Sequence, residues 1–181
     1  MIDSVNFTDI INLIIESFKI NLIITDEIDK NIHVLAESNF KCYQANMQIL
    51  NQRKNKDSLE KYKSISDSEF VARTVGEKRV ASKAAINKIL SNRYSKSSFP
   101  SNWVEDDIVY SVGEMIDRIL IEHIKQQDFK NNNEEIKFKN SIMWQDRVFK
   151  YLNQKLKSIH ETKSYESVEE MRTYKLEERY E

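Results

Sequence analysis

A chain of 181 residues with only two glycines and one proline has few means of turning sharply. Hairpins, Greek keys and nucleotide-binding loops place glycine and proline at their corners. Their scarcity sets aside sandwiches, barrels and Rossmann-type units, and leaves long helices. The length fits one domain with room for a core. With 40% hydrophobic and 31% charged residues, the chain reads as globular rather than disordered. We therefore expect an all-α fold, a single domain over 1–181. It should be a bundle of about six helices, long, antiparallel and shortly connected, with no sheet.

Composition also narrows function. One cysteine forms neither an internal disulfide nor a thiolate zinc site, and no metal or cofactor is expected. A formal net charge of −1 removes any global argument for nucleic acid. The start, Met1-Ile2-Asp3-Ser4, lacks the basic region of a secretory signal. The most apolar stretch, Ile10 to Ile24, is too short to span a bilayer and is interrupted by Asn12, Glu16, Lys19 and Asn21. It reads as a buried helix or a subunit contact, so no membrane span and a cytoplasmic location are expected. Its apolar circumference exceeds what one bundle face covers, which predicts a homodimer with this helix at or near the interface.

Start and stop signals divide the chain. An apolar first helix falls at about 8–24. A long second helix, capped by Thr25 or Asp26, reaches about 53. A short segment lies at Leu59 to Lys63, and Ser66-x-x-Glu69 is a capping box for a helix ending near Asn92. Ser97 to Asn102, with Pro100, is a loop. The next helix contains Ser111 to Lys125, and Ser111-x-x-Glu114 is an alternative start. Another helix covers about 134–162, and Ser167-x-x-Glu170 opens an exposed C-terminal helix within 163–181. Both glycines sit in matching tetrapeptides, Thr74-Val75-Gly76-Glu77 and Ser111-Val112-Gly113-Glu114. Glycine within a helix costs roughly 1 kcal/mol relative to alanine. Close helix crossings would account for both. The stretch from Arg73 to Lys96 is basic and that from Glu105 to Glu135 is rich in acids. Such neighbours predict intramolecular or dimer complementarity, with an anion footprint as the alternative.

Helical periodicity places several polar residues on apolar faces. On the second helix, Asn39 and Asn46 fall within the stripe Ile28, Ile32, Leu35, Cys42, Leu50. A buried amide needs a hydrogen-bonding partner, so each either bridges helices or lines an interior site. The following helix is expected to bury Val71, Val75, Ile86 and Ile89, bordered by Arg79, Lys83 and Asn87. The helix through 108–125 turns Ile108, Val112, Met115, Ile116 and Ile119 inward, with His123 on that face and Asp117 and Lys125 flanking it. Glu114 and Arg118 read as an i,i+4 surface pair. Arg118-x4-His123 has the spacing of HEPN ribonucleases without their polar neighbour. Glu114-x-x-Asp117 is only half of a magnesium motif. No Walker loop, HExxH helix or nucleophile elbow occurs.

The segment Ser111-Val-Gly-Glu-Met-Ile-Asp-Arg-Ile-Leu-Ile-Glu-His-Ile-Lys125 resembles the bacterial "domain of unknown function 4254" family, with its G-x-I-I-D-R-L-S-I-L-x-L-K pattern. Gly113, Ile116, Asp117, Arg118 and Lys125 match, whereas Leu120 and Glu122 depart. Upstream, Leu35, Asn39 and Tyr43 fit L-x3-N-x3-W with tyrosine for tryptophan. Lys83, Ile86 and Arg93 fit K-R-x-I-D-x-L-N-Q-x-R with Asn87 for aspartate. Arg172-x-Tyr174-Lys175 is similar to a K-x-Y-R stretch. The family's Glu-Asp pair is Asn46-Met47 here, so carboxylate chemistry does not carry over residue by residue. The resemblance implies a link to surface-glycan biosynthesis, and with it a glycosyltransferase partner.

Three functions follow as expectations. The first is a binder of an anionic ligand, a phosphorylated sugar or nucleotide-sugar, in an inter-helix cleft. Asn39, Lys83, Asn87, Arg93, Asp117, Arg118 and Lys125 would line that cleft. The second is a homodimeric protein–protein interaction module. The third is a nucleic-acid or nucleotide-acting protein. The residues name no catalytic group. Lys83, Asp117, Arg118 and Lys125 are expected to converge between two neighbouring helices, either as a ligand site or as a salt-bridge network that fixes register.

Overall fold

A computed structural model describes residues 4–54, 59–94, 103–105 and 108–165. Within them run α1 (Ser4–Ile20), α2 (Asp26–Arg53), α3 (Leu59–Arg93), α4 (Val112–Asn131) and α5 (Glu135–Thr162). The all-α class holds, with five helices among the described residues where about six were expected. One departure from the expected absence of a sheet is small. β1 (Trp103–Glu105) and β2 (Ile108–Tyr110) form an antiparallel pair with Trp103 opposite Tyr110. Ile108, expected on the helix, therefore belongs to a strand. Among the described residues, no helix is long and apolar enough to cross a membrane.

Local chemistry sets the helix ends. Thr25 is the N-cap of α2, its hydroxyl accepting from the Ile28 N–H at 3.2 Å. Asp26, Glu27 and Asp29 follow at the positive end of the helix dipole. Ser111 caps α4 in the same way, accepting from the Glu114 N–H at 3.3 Å, so the later of the two expected starts is the one used. Glycine scarcity shows at the C-termini. The left-handed positions are taken by Leu22 (φ 54°), Asn133 (φ 57°) and Lys163 (φ 53°), sites where glycine is usual.

The box at Ser66-x-x-Glu69 does not start a helix. α3 runs unbroken from Leu59, because Ser66 lies on an exposed face of a continuous 35-residue helix. Ser97 to Asn102 and Ser167-x-x-Glu170 lie outside the described residues. The exposed helix expected over 163–181 is answered only at its first three residues. These are not helical, and Tyr165 is fully buried in the core.

α4 is the central element. It packs against each of the other four helices. Around it α1 contributes Phe7, Ile10, Ile11, Ile14, Ile15 and Phe18, and α5 contributes Val148, Leu152, Leu156 and Ile159. The apolar circumference of α1 is thus covered largely within the chain, leaving Leu13, Ile20 and the following Leu22 exposed. α2 and α3 outrun this core. At 28 and 35 residues they extend about 42 and 52 Å. Between Tyr43 and Arg79 they add nothing to the main cluster. There Ala45, Ile49, Ser68 and Val75 are buried, and the Ser68 hydroxyl donates to Gln48 at 3.2 Å. The far end of the α2–α3 hairpin is held by its own two helices.

This explains two corrected faces. Once α2 leaves the bundle, its buried stripe shifts to Ala45 and Ile49, and the expected Asn46 and Leu50 are exposed. On α3, Val71 is exposed rather than buried, and Ile89 only half-buried.

Candidate functional site

The centre of the polar constellation is Asp117, on the face of α4 turned toward α2 and α3. Its carboxylate accepts from Arg79 twice, Nε to Oδ1 at 2.7 Å and Nη2 to Oδ2 at 2.6 Å. The Asn39 amide donates to Oδ1 at 2.8 Å and also to the Leu35 carbonyl at 3.1 Å. Lys83 Nζ lies 3.4 Å from Oδ2 and pairs more closely with Glu114. Two cations from α3 thus meet two carboxylates from α4, with an amide from α2. The basic and acidic segments are complementary within one chain.

The electrostatics follow from this geometry. Burial alone would raise the pKa of Asp117, but the Arg79 fork, Lys83 and Asn39 outweigh it and hold the carboxyl below its ordinary value. Arg79 responds in the opposite sense: burial opposes its charge, and Asp117 more than restores it. Fork-to-fork geometry makes this the strongest ion pair of the set.

Gly113 lets α3 and α4 approach. A Cβ there would stand 2.6 Å from the Lys83 carbonyl oxygen and 3.1 Å from its Cα. Gly76 does not share this role, since a Cβ there would meet nothing within 4 Å. Close crossing therefore explains one glycine and not the other. One turn beyond Lys83, Asn87 stitches the same crossing. Its amide donates to Ser111 Oγ at 2.8 Å, and its oxygen accepts from the Gly113 N–H at 2.9 Å and the Tyr165 hydroxyl at 3.1 Å.

A second network occupies the α5 side of α4. Glu122 is fully buried and accepts from Arg118 Nη2 at 2.8 Å and Ser141 Oγ at 2.8 Å, with Lys125 Nζ at 3.4 Å. Arg118 and Arg147 lie at 5.8 and 5.7 Å from the Trp144 ring centre. Gln145 joins the same seam, its amide donating to the Ile119 carbonyl at 2.8 Å.

The expected residues therefore divide. Asn39, Lys83 and Asp117 come together, and Asn87 adjoins them. Arg118 and Lys125 belong with Glu122, so the expected single convergence becomes two networks. Glu114 pairs with Lys83 and Arg118 with Glu122, and Arg118 is buried rather than on the expected surface. Arg93 is elsewhere: its guanidinium donates to the Ile23 carbonyl at 3.2 Å and lies over Tyr94, tying α3 to the α1–α2 corner. His123 is half-buried, its ring 5.8 Å from that of Phe7. Arg79, Glu114 and Glu122 are members that the expected list omits. Arg79 shares an i,i+4 row with Lys83, and Glu122 continues the apolar row of Met115 and Ile119. Both spacings are visible in the sequence.

Among the described residues, open grooves run along α2 and α3, one of about 490 Å³ between Glu27 and Asn92. Among the described residues, no group of three or more His, Cys, Asp or Glu side chains is placed to hold a metal ion. Comparison with protein-family models, curated proteins and solved structures finds no match.

Proposed function

We propose that this chain is a protein-interaction module, a bundle locked by internal ion pairs that offers the α2–α3 hairpin to a protein partner. One observation carries the reading: Arg79 and Lys83 are neutralised by Asp117 and Glu114. A ligand anion entering there would have to displace a carboxylate already held at hydrogen-bonding distance, and it would meet no net positive charge. The hairpin, by contrast, exposes Leu50, Leu59, Tyr62, Phe70 and Val71, large apolar side chains on a segment the core does not need. The family resemblance supplies a class of partner, an enzyme of surface-glycan assembly.

A second reading, the phosphorylated-sugar or nucleotide-sugar binder, has one observation in its favour. The Arg79 side chain keeps 28% of its surface open, whereas that of Asp117 keeps 3%, so an outside phosphate would reach the guanidinium first. Thermal unfolding in rising inorganic phosphate and in uridine diphosphate glucose separates the two. The interaction module predicts no saturable rise in Tm. A saturable rise that disappears in Lys83→Met overturns it in favour of the ligand site.

A further inference from the structure

The outward face of α3 carries a second stripe, opposite the one that packs on α2. Beginning at Leu59 and stepping three or four residues at a time to Ser91, each position on it is exposed. Four of its positions, Leu59, Tyr62, Phe70 and Val80, carry large apolar side chains that stay exposed. Phe70 and Val80 on this stripe are 61% and 52% exposed. Arg73 and Glu77 lie between them.

We propose that this stripe pairs with its own copy, two α3 helices antiparallel about a two-fold axis between Arg73 and Glu77. The proposal rests on the interaction-module reading and adds a second copy as the occupant of this outer face of α3. Charge order selects the arrangement. A parallel pair would set Arg73 against the partner's Arg73 and Glu77 against the partner's Glu77. The antiparallel pair sets Arg73 against Glu77 of the partner subunit, twice by symmetry. Within one chain the order Arg73 then Glu77 is the weaker orientation for an i,i+4 pair, and Arg73 lies instead over the Phe70 ring at 5.7 Å. In the same register Phe70 meets the partner's Val80, Ser66 meets the partner's Ala84, and Tyr62 meets the partner's Lys88. Each is an apolar, small–small or cation–aromatic pair, and none sets like charges together. The 35 residues of α3 supply a seam about 52 Å long.

Charge swapping tests both pairing and register. Sedimentation velocity of the full chain at high micromolar concentration should show a dimer. Arg73→Glu and Glu77→Arg should each weaken it by about tenfold or more. An equimolar mixture of the two should restore dimerisation, because every cross-seam pair is then opposite in charge. Both positions are exposed, so thermal unfolding of each variant should stay within a few degrees of the parent. Phe70→Ser, also at an exposed position, should weaken the dimer independently of charge. A monomer at that concentration overturns the pairing, as does a dimer indifferent to these substitutions or a mixture that fails to re-form it. A monomer that also shows no phosphate or nucleotide-sugar shift overturns the pairing alone and leaves the interaction-module reading standing. A saturable shift overturns that reading whatever the sedimentation shows.

Discussion

Two glycines in matching Val-Gly-Glu settings allow one substitution to be used against itself. Gly113→Ala would place a methyl group 2.6 Å from the Lys83 carbonyl oxygen, 3.1 Å from its Cα and 3.2 Å from its carbonyl carbon. All three are backbone atoms of α3, so no side chain can swing aside. Restoring ordinary contact near 3.4 Å requires α3 and α4 to part by several tenths of an ångström. That movement falls on Lys83 and on the 2.9 Å bond from Gly113 to Asn87. Overpacking of this kind costs about 1–3 kcal/mol. The helix-propensity gain is at most about 1 kcal/mol, and Gly113 lies in the first turn of α4, where the gain is smaller. A net loss of about 1–2 kcal/mol is expected, which lowers Tm by roughly 2–8 °C in a domain of this size. Gly76→Ala meets nothing within 4 Å, and neither glycine has a positive φ. It should stabilise by about 0.5–1 kcal/mol. Calorimetry of the two variants beside the parent reads the difference. Shifts of the same sign would refute the assignment of Gly113 as the contact point of α3 and α4.

Two further outcomes concern titration. The Asp117 carboxyl is held below its ordinary 3.8 in the fold; its contribution to stability is therefore complete above about that pH and is lost as pH falls through the lower folded value. Asp117→Asn should cost roughly 3–5 kcal/mol at neutral pH by leaving buried cations in excess, and should flatten the acid limb of a stability-versus-pH curve. The Tyr43 phenol, desolvated and donating to Asp128 at 2.9 Å, is pushed up to about 12. Its contribution is complete below pH 10 and declines as pH rises toward 12, so the alkaline unfolding limb of Tyr43→Phe should be shallower over that interval than the parent's.

The architecture was readable wherever one helix face had one partner. The starts of α2 and α4 are written in Thr25 and Ser111 because caps are local. Asn39 announced itself as an amide inside an apolar row, and it does bond across to Asp117. Periodicity misleads where a helix changes partners. α2 leaves the bundle near Tyr43, and from there periodicity counted from Ile28 selects Asn46 and Leu50 instead of Ala45 and Ile49. α3 has residues to bury on one side and apolar residues exposed on the other, so Ser66 looked like a start within what is one helix. Tyr165 was out of reach for a different reason. Its burial depends on residues far back in the chain: the Val112 N–H at the start of α4 donates to its hydroxyl at 3.4 Å, and that hydroxyl donates to Asn87 at 3.1 Å.

The division of charge between the two faces of α4 bears on what the bundle needs its ions for. Leucines of similar volume at Arg79 and Asp117 would pack a helix pair without the cost of removing two charges from water. Apolar contact, however, scarcely distinguishes one turn of slip from the next, whereas a guanidinium fork on a carboxylate tolerates no such shift. α4 crosses α3 at a glycine, where slip would be easiest. The bidentate pair, the Asn87 stitch and the Lys83–Glu114 pair all lie within about one turn of that crossing along α3 or α4. On the opposite face, Glu122 draws Arg118 and Lys125 of its own helix to the Ser141 hydroxyl of α5. Each network thus fixes α4 against a different neighbour, and together they hold the central helix in one register with both faces engaged. Arg79 and Lys83 lie where α3 rejoins the core, so the proposed pairing through the outer face of α3 would draw on that rigidity at the base of the hairpin.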